Sequence, residues 1–284
     1  MEYLAAKEKW KLYLKNWKFK IIFFIIEQEN ILIRKRLKSR YMKFITALLL
    51  TVFSFSVYAQ TAEQIIEKVD FNMSAENRIV ESSMTIHGKR RSRTMTSVSY
   101  SVGNKQAFTE YLSPAREKGT KMLKLTDKLW IYSPGTDRTI QISGHLLKQS
   151  VMGSDFSYED MMDDRELMDI YKAKMIGKEL FEGRNTFVLE LTAFVDDASY
   201  YLRKMWIDVE RFVPLKEELF AKSGQLLKRT TLSDVQKIQG KWYPMKIVYK
   251  DMLKQGDGTE MQITDIKFNQ DIPEYIFTKA VLKQ

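Results

Sequence analysis

The sequence predicts a mainly β protein with a few helices (α+β), built on an antiparallel meander of about eleven strands. Three observations lead there. From Arg78 onward, segments of about eight to twelve residues recur between Gly, Pro and Asn turn signals. Apolar and polar residues alternate inside them, the two-residue period of strands with one covered face. One strongly helical stretch, opened by Thr61, precedes them.

The N-terminal part of the 284-residue chain stands apart from that pattern. From Met42 it reads MKFITALLLTVFSFSVYAQ. Lys43 precedes an apolar run ending near Val57, and Val57 and Ala59 bracket Tyr58. This is the form of a secretory signal peptide over 42–59, with cleavage expected after Ala59. The run is shorter than the roughly 20 apolar residues of a spanning helix. No cysteine lies near the cleavage site to carry a lipid anchor. Residues 1–41 hold eleven Lys and Arg against four Asp and Glu. They read as a basic leader outside the mature protein, with a membrane-surface segment as the alternative. Residues 60–284 then form a single domain.

That division changes the charge argument. Of the net +10, residues 1–41 carry +7 and Lys43 one more, leaving +2 for 60–284. A nearly balanced domain is not a nucleic-acid binder. The cluster Lys89-Arg90-Arg91-Ser92-Arg93 is its basic patch and reads as a solvated hairpin turn, or else as a contact for anionic headgroups or a partner. The absence of cysteine in an exported chain suits a bacterial periplasm and a domain large enough to need no disulfides.

Thr61-x-x-Gln64 is a capping box, and Ile65, Ile66, Val69 and Met73 share one face of the helix that follows. The strand segments are 78–87, 92–102, 105–111, 120–125, 128–132, 138–142, 171–179, 186–194, 200–209, 215–220, 226–237, 241–253 and 260–268. Phe187, Leu189 and Leu191 alternate with Glu190 and Thr192. Met205 and Ile207 alternate with Trp206 and Asp208, and Met245 and Ile247 with Lys246 and Val248. Charge on the opposite positions argues against an outer-membrane barrel, whose outer band is apolar. Thirteen methionines in 60–284 point to a flexible apolar cavity as well as to core filling.

Between the sixth and seventh segments lies QSVMGSDFSYEDMM, residues 149–162. Ser143 is placed to cap a short helix bearing Leu146, Leu147 and Met152 and ended by Gly153. Ser157-x-x-Asp160 is a second capping box, with Phe156 and Met161 at the two positions of a hydrophobic staple. The stretch reads as two short apolar helices about a Gly153 hinge, a lid or cavity wall.

Residues for chemistry are sparse. His87 and His145 are far apart and cysteine is absent, so neither a metal nor a haem site is expected. Gly153-Ser154 lacks the second glycine and the βαβ context of a nucleophile elbow. The paired acids lack calcium-loop spacing. No catalytic residue and no cofactor are expected.

Several blocks together resemble the LolA-like outer-membrane lipoprotein-sorting proteins. They are Pro114-Ala-Arg-Glu-Lys-Gly119-Thr-Lys-Met-Leu123, Leu129-Trp-Ile-Tyr-Ser-Pro134, Asp137-Arg-Thr-Ile140, Gly144-His-Leu-Leu and Met152-Gly-Ser-Asp155-Phe-Ser-Tyr-Glu-Asp160. Trp206-Ile-Asp208 and Pro214-Leu-Lys216 fit as well. The resemblance implies an incomplete antiparallel β-barrel wrapped around the N-terminal helix and short lid helices. It also implies periplasmic carriage of a lipid or lipoprotein acyl chain between envelope membranes. The expected partners are that cargo and an inner-membrane exporter or outer-membrane acceptor, for a monomeric carrier.

The expected cargo-facing residues are Leu146, Leu147, Met152, Phe156, Met161, Met162, Phe187, Leu189, Leu191, Met205, Ile207, Met245 and Ile247. Gly153 is the expected hinge, and Thr61, Ser157 and Asp160 the helix caps. Two other functions stay open: a non-enzymatic sensor or adaptor for a membrane protein, using the Lys89–Arg93 turn, and a hydrolase using Ser154 or Ser157.

Overall fold

The computed structural model describes residues 60–163 and 165–284, and near the N-terminus Trp17, Lys20, Ile21, 24–29, Ile31, Leu32 and 34–36. Residues 60–284 form one unit by themselves and residues 1–59 another. The described positions of the latter are helical. The expected signal peptide over 42–59, its cleavage site and most of the leader lie outside the described residues. Among the described residues no helix is long and apolar enough to cross a membrane.

Helix α1 (Ala62–Met73) begins where the sequence places it. The Thr61 side chain accepts from the Gln64 N–H at 3.3 Å, and the Gln64 side chain accepts from the Thr61 N–H at 3.1 Å. Two of the amides that a helix start leaves without partners are thereby satisfied. The buried face carries Ile65, Ile66 and Val69.

The strands are β1 (Asn77–His87), β2 (Ser92–Val102), β3 (Gln106–Ser113), β4 (Lys121–Leu125), β5 (Lys128–Ser133), β6 (Arg138–Ile142), β7 (Tyr171–Phe181), β8 (Arg184–Ala193), β9 (Leu202–Asp208), β10 (Pro214–Phe220), β11 (Leu226–Ile238), β12 (Lys241–Asp251) and β13 (Gly258–Phe268). All thirteen belong to one sheet, ordered β6-β5-β4-β3-β2-β1-β13-β12-β11-β10-β9-β8-β7. Each of the thirteen segments delimited in the sequence forms its own strand, the five-residue β4 and β6 included, so the sheet has thirteen strands and not about eleven. Left-handed backbone at Thr126 (φ 51°) and Asp137 (φ 49°) turns the chain sharply beside β4 and β6.

The pairing β1–β13 joins the two ends of the meander in the middle of the sheet. Its two edges, β6 and β7, are therefore consecutive in sequence, and the sheet stays unclosed between them. Residues 143–170 cross that gap.

The inner face is filled from two sides. Ala62, Ile65, Ile66 and Val69 of α1 pack on Phe187, Leu189, Leu191, Met205 and Ile207 of β8 and β9. Val151 and Tyr158 of the crossing segment pack with Met84, Met95, Tyr111, Met122, Leu129 and Ile142 of β1–β6. The outer face departs from the wet surface that alternation predicts. Over β3–β5 it is covered by the C-terminal turns Glu274–Phe277 and Lys279–Lys283, whose Phe277 and Leu282 cluster with Phe108, Leu123 and Trp130. β4 is consequently buried on both faces. Over β9 and β10 the outer face is charged, with Lys204 and Lys216 at 4.6 and 4.0 Å from the Trp206 ring centre.

Leu189 is fully buried beneath α1, whereas Ile140 on edge strand β6 is 53% exposed. Leu189→Ala is expected to cost about 2–5 kcal/mol in urea unfolding. Ile140→Ala is expected to stay within about 0.5 kcal/mol of wild type.

Candidate functional site

The crossing segment is two 3-10 turns (Gly144–Lys148 and Val151–Gly153), then α2 (Tyr158–Met162) and α3 (Leu167–Ile170). The single helix expected between Ser143 and Gly153 does not form. Ser143 makes no side-chain cap, and Gln149 and Ser150 are extended. The cause is a chain reversal: Ser150 bridges Ser157, and the Val151 N–H donates to the Phe156 carbonyl at 2.8 Å. The reversal places Met152 (φ 51°) and Gly153 (φ 76°) in the left-handed region, which glycine enters without a Cβ penalty.

Buried Asp155 anchors that reversal to the sheet. Its Oδ1 accepts from the Asp251 N–H at 3.0 Å, and its Oδ2 accepts from the Thr259 hydroxyl at 2.8 Å. Arg93 donates to the Met152 carbonyl, and Lys254 to the Ser154 carbonyl at 2.9 Å. Ser154 itself is fully buried, and its hydroxyl donates to the Phe156 carbonyl at 3.1 Å.

α2 carries the second capping box. The Ser157 N–H donates to Asp160 Oδ2 at 2.8 Å, and the Asp160 N–H donates to Ser157 Oγ at 3.2 Å. Asp160 does more than cap: Lys228 of β11 and the Tyr200 hydroxyl both donate to its carboxylate. Burial alone would push the Asp160 carboxyl up, but the Lys228 charge and these donors together hold it below the usual range.

Two cavities lie against α2. The first holds about 400 Å³. Met84, Met122, Met161, Met261, Phe156, Ile247 and Ile263 supply its apolar wall. A row of hydroxyls forms part of the rest, where Ser82 meets Ser97 at 3.3 Å and Ser99 meets Thr109 at 2.8 Å, and Lys124, Asp160 and Asp163 bring charge to the lining. At the far end Arg78 donates to Ser101 at 3.1 Å.

The second cavity, about 230 Å³, shares Phe156, Asp160, Asp163 and Tyr249 with the first. It is lined by Arg203, Glu217 and Lys228. Arg203 lies 4.0 Å from both Asp163 and Glu217, and its Nε has no hydrogen-bond partner. Burial raises the Glu217 carboxyl, and the Arg203 charge offsets that only in part. Among the described residues no cluster of three potential metal ligands occurs.

The residues selected from sequence divide into four sets. Phe156, Met161 and Ile247 line the larger cavity. Leu146, Leu147, Met152 and Met162 pack beside it, against the cluster of Met84 and Met122. Phe187, Leu189, Leu191, Met205 and Ile207 face inward as alternation indicates, but α1 occupies the space above them. Met245 packs with Tyr243, Ile263 and Phe268. Sequence reasoning passed over Met84, Met122 and Met261, because hydroxyl residues on β1 and two-sided burial of β4 blur their alternation. It also passed over Lys228 and Arg203, whose charge suggested an outward position.

The Asp160–Lys228 pair supplies a test of how α2 is held, since the two side chains are only 11% and 17% exposed. Asp160→Asn is expected to destabilise the domain by about 3 kcal/mol at neutral pH, by leaving a largely covered ammonium without its carboxylate. Combining it with Lys228→Met is expected to cost less than the sum of the two changes. Because the Asp160 pKa is lowered on folding, its contribution is complete above the unfolded value of about 3.9. It is lost as pH falls through the lower native value. The stability gap between wild type and Asp160→Asn, read by urea titration, should therefore narrow below about pH 4.

With this geometry in hand, the fold is comparable with known proteins. A family model described as that of an uncharacterized protein matches residues 103–284. No curated protein matches the chain. Among solved structures, a DUF1329 family protein from Desulfovibrio piger is 21% identical, with a TM-score of 0.71 over 78% of this chain and 97% of that one. A protein domain described as outer membrane lipoprotein-sorting, from Vibrio parahaemolyticus, is 27% identical, with a TM-score of 0.66 over 78% of this chain and all of that one. A LolA superfamily protein from Nitrosomonas europaea is 25% identical, with a TM-score of 0.64 over 78% of this chain and 100% of that one. Alignment over the whole length of the Vibrio and Nitrosomonas proteins, together with the matched family model, places the chain in the LolA-like family.

Proposed function

We propose that this chain is a periplasmic carrier that takes an acyl chain of a lipid or lipoprotein into the cavity between the sheet and α2, and moves it between envelope membranes. The observation that carries this reading is the 400 Å³ cavity with its methionine-rich wall. Its size falls within the range of about 300–1,000 Å³ typical of ligand sites. Methionine side chains adapt to apolar partners of varied shape. The signal-peptide form of residues 42–59 and the lipoprotein-sorting description of the Vibrio relative support the compartment and the cargo class.

The energetics suit carriage. Each buried CH₂ is worth about 0.8 kcal/mol, so burying about ten retains roughly 8 kcal/mol against release into water. Exchange with a bilayer interior is nearly neutral, because both environments are apolar. A carrier therefore holds its cargo in water and yields it at a membrane, with no bond made or broken. The carrier acts as a monomer, and its route ends at an inner-membrane exporter or an outer-membrane acceptor. Gly153 and its left-handed neighbour Met152 are the proposed hinge of the wall.

Native mass spectrometry of the protein isolated from its own envelope is expected to show lipid adducts. Ala107 faces the cavity from β3, opposite Ser101. Ala107→Trp is expected to keep the fold and to reduce uptake of a fluorescent fatty acid at least tenfold. A wild-type protein that is consistently empty and takes up no acyl probe overturns the reading.

A further inference from the structure

The hairpin tips β1–β2 (residues 88–91) and β12–β13 (residues 252–257) lie side by side, because β1 pairs with β13 from His87 opposite Gly258 onward. The Asp257 N–H donates to the His87 carbonyl at 3.2 Å. Gly256 sits so close that a Cβ on it would meet His87 O at 2.6 Å. The two tips therefore form one surface.

Its chemistry is of two kinds. Lys89, Arg90 and Arg91 are exposed and make no ion pair among the described residues, and Lys254 is 40% exposed. Beside them Leu253 is 65% exposed and Met252 37%. The acids here are few: Asp251 pairs with Lys254 at 3.6 Å and accepts from the Leu253 N–H, and Asp257 ends the second tip. The Leu253 backbone is thus held in place while its side chain projects into solvent.

We infer that these paired tips are a docking surface for an anionic lipid bilayer. Unpaired cations attract phosphate-rich surfaces, with an effect that fades beyond a Debye length. An exposed leucine and methionine between them gain by entering the interfacial region, as on amphipathic membrane anchors. A protein partner would need a broad complementary face, whereas two narrow turns with cations around an apolar tip match a surface of mobile headgroups.

The placement also matters for the interior. Arg93 and Lys254, on the same two hairpins, are the side chains that hold Met152 and Ser154 of the crossing segment. A docked bilayer then faces the segment that walls the cavity. The inference goes beyond the carrier reading and does not depend on it, since docking requires nothing in the cavity.

The test uses residues 60–284, which form a unit by themselves. The domain is sedimented with vesicles of phosphatidylcholine alone and of phosphatidylcholine mixed with phosphatidylglycerol. Binding only to the mixed vesicles, weakened by salt, is expected. The combined change Lys89→Glu, Arg90→Glu, Arg91→Glu should lower that binding at least tenfold, and Leu253→Ser should lower it several-fold. Reversing Lys105, Lys128 and Lys237, at or next to the turns at the opposite end of the strands, should leave it unchanged. The inference is overturned by no vesicle binding, by equal binding to both vesicle types, or by loss only in the opposite-end variant. Because the cavity plays no part in this assay, its failure leaves the acyl-uptake experiment to be read on its own.

Discussion

Strand β1 pairs with β13 from Arg78 opposite Phe268 to His87 opposite Gly258, linking residues nearly the whole domain apart. That ladder determines where the sheet is interrupted. With the chain ends joined in the middle of the sheet, the unpaired edges belong to β6 and β7, which are neighbours in sequence. The connection between them crosses the inner face and lies against the cavity. A closed barrel would have no edges to bridge. A meander with its ends at the edges would have no internal crossing segment.

The inner face is then shared by two occupants of different character. α1 takes the part over β8 and β9 and makes it ordinary core, with Ile65, Ile66, Leu189 and Ile207 fully buried. The crossing segment takes the part over β1–β6 less completely, and the cavity is the space left over. Polar anchors add to the apolar packing of that segment: Asp155 to Thr259, and Asp160 to Lys228 and Tyr200. Such bonds have defined geometry and little bulk, so they position a wall without filling the space behind it.

Much of this was readable in advance, and the exceptions have physical reasons. The capping boxes at Thr61 and Ser157 are local events, decided within four residues, and both form. The strand faces at Phe187, Leu189 and Leu191 follow from a period of two, and the side chains point inward accordingly. What covers an inward face is a matter of tertiary structure, and α1 rather than cargo space covers these. The C-terminal turns had no readable signature, because Ile272, Ile276, Phe277, Val281 and Leu282 follow neither a helical nor a strand period. Lys228 and Arg203 look outward in sequence because the carboxylates beside them lie on other elements, Asp160 and Asp163 in the crossing segment and Glu217 on β10.

The central claim is that one part of the inner face is core and the other receives an acyl chain. Methyl-labelled methionine spectra of the domain, recorded with and without a bound fatty acid, test it directly. The account predicts that the methyl signals of Met84, Met122, Met161 and Met261, around the cavity, shift on binding, while those of Met175 and Met205, under α1, stay in place. Shifts confined to Met175 and Met205 would contradict it.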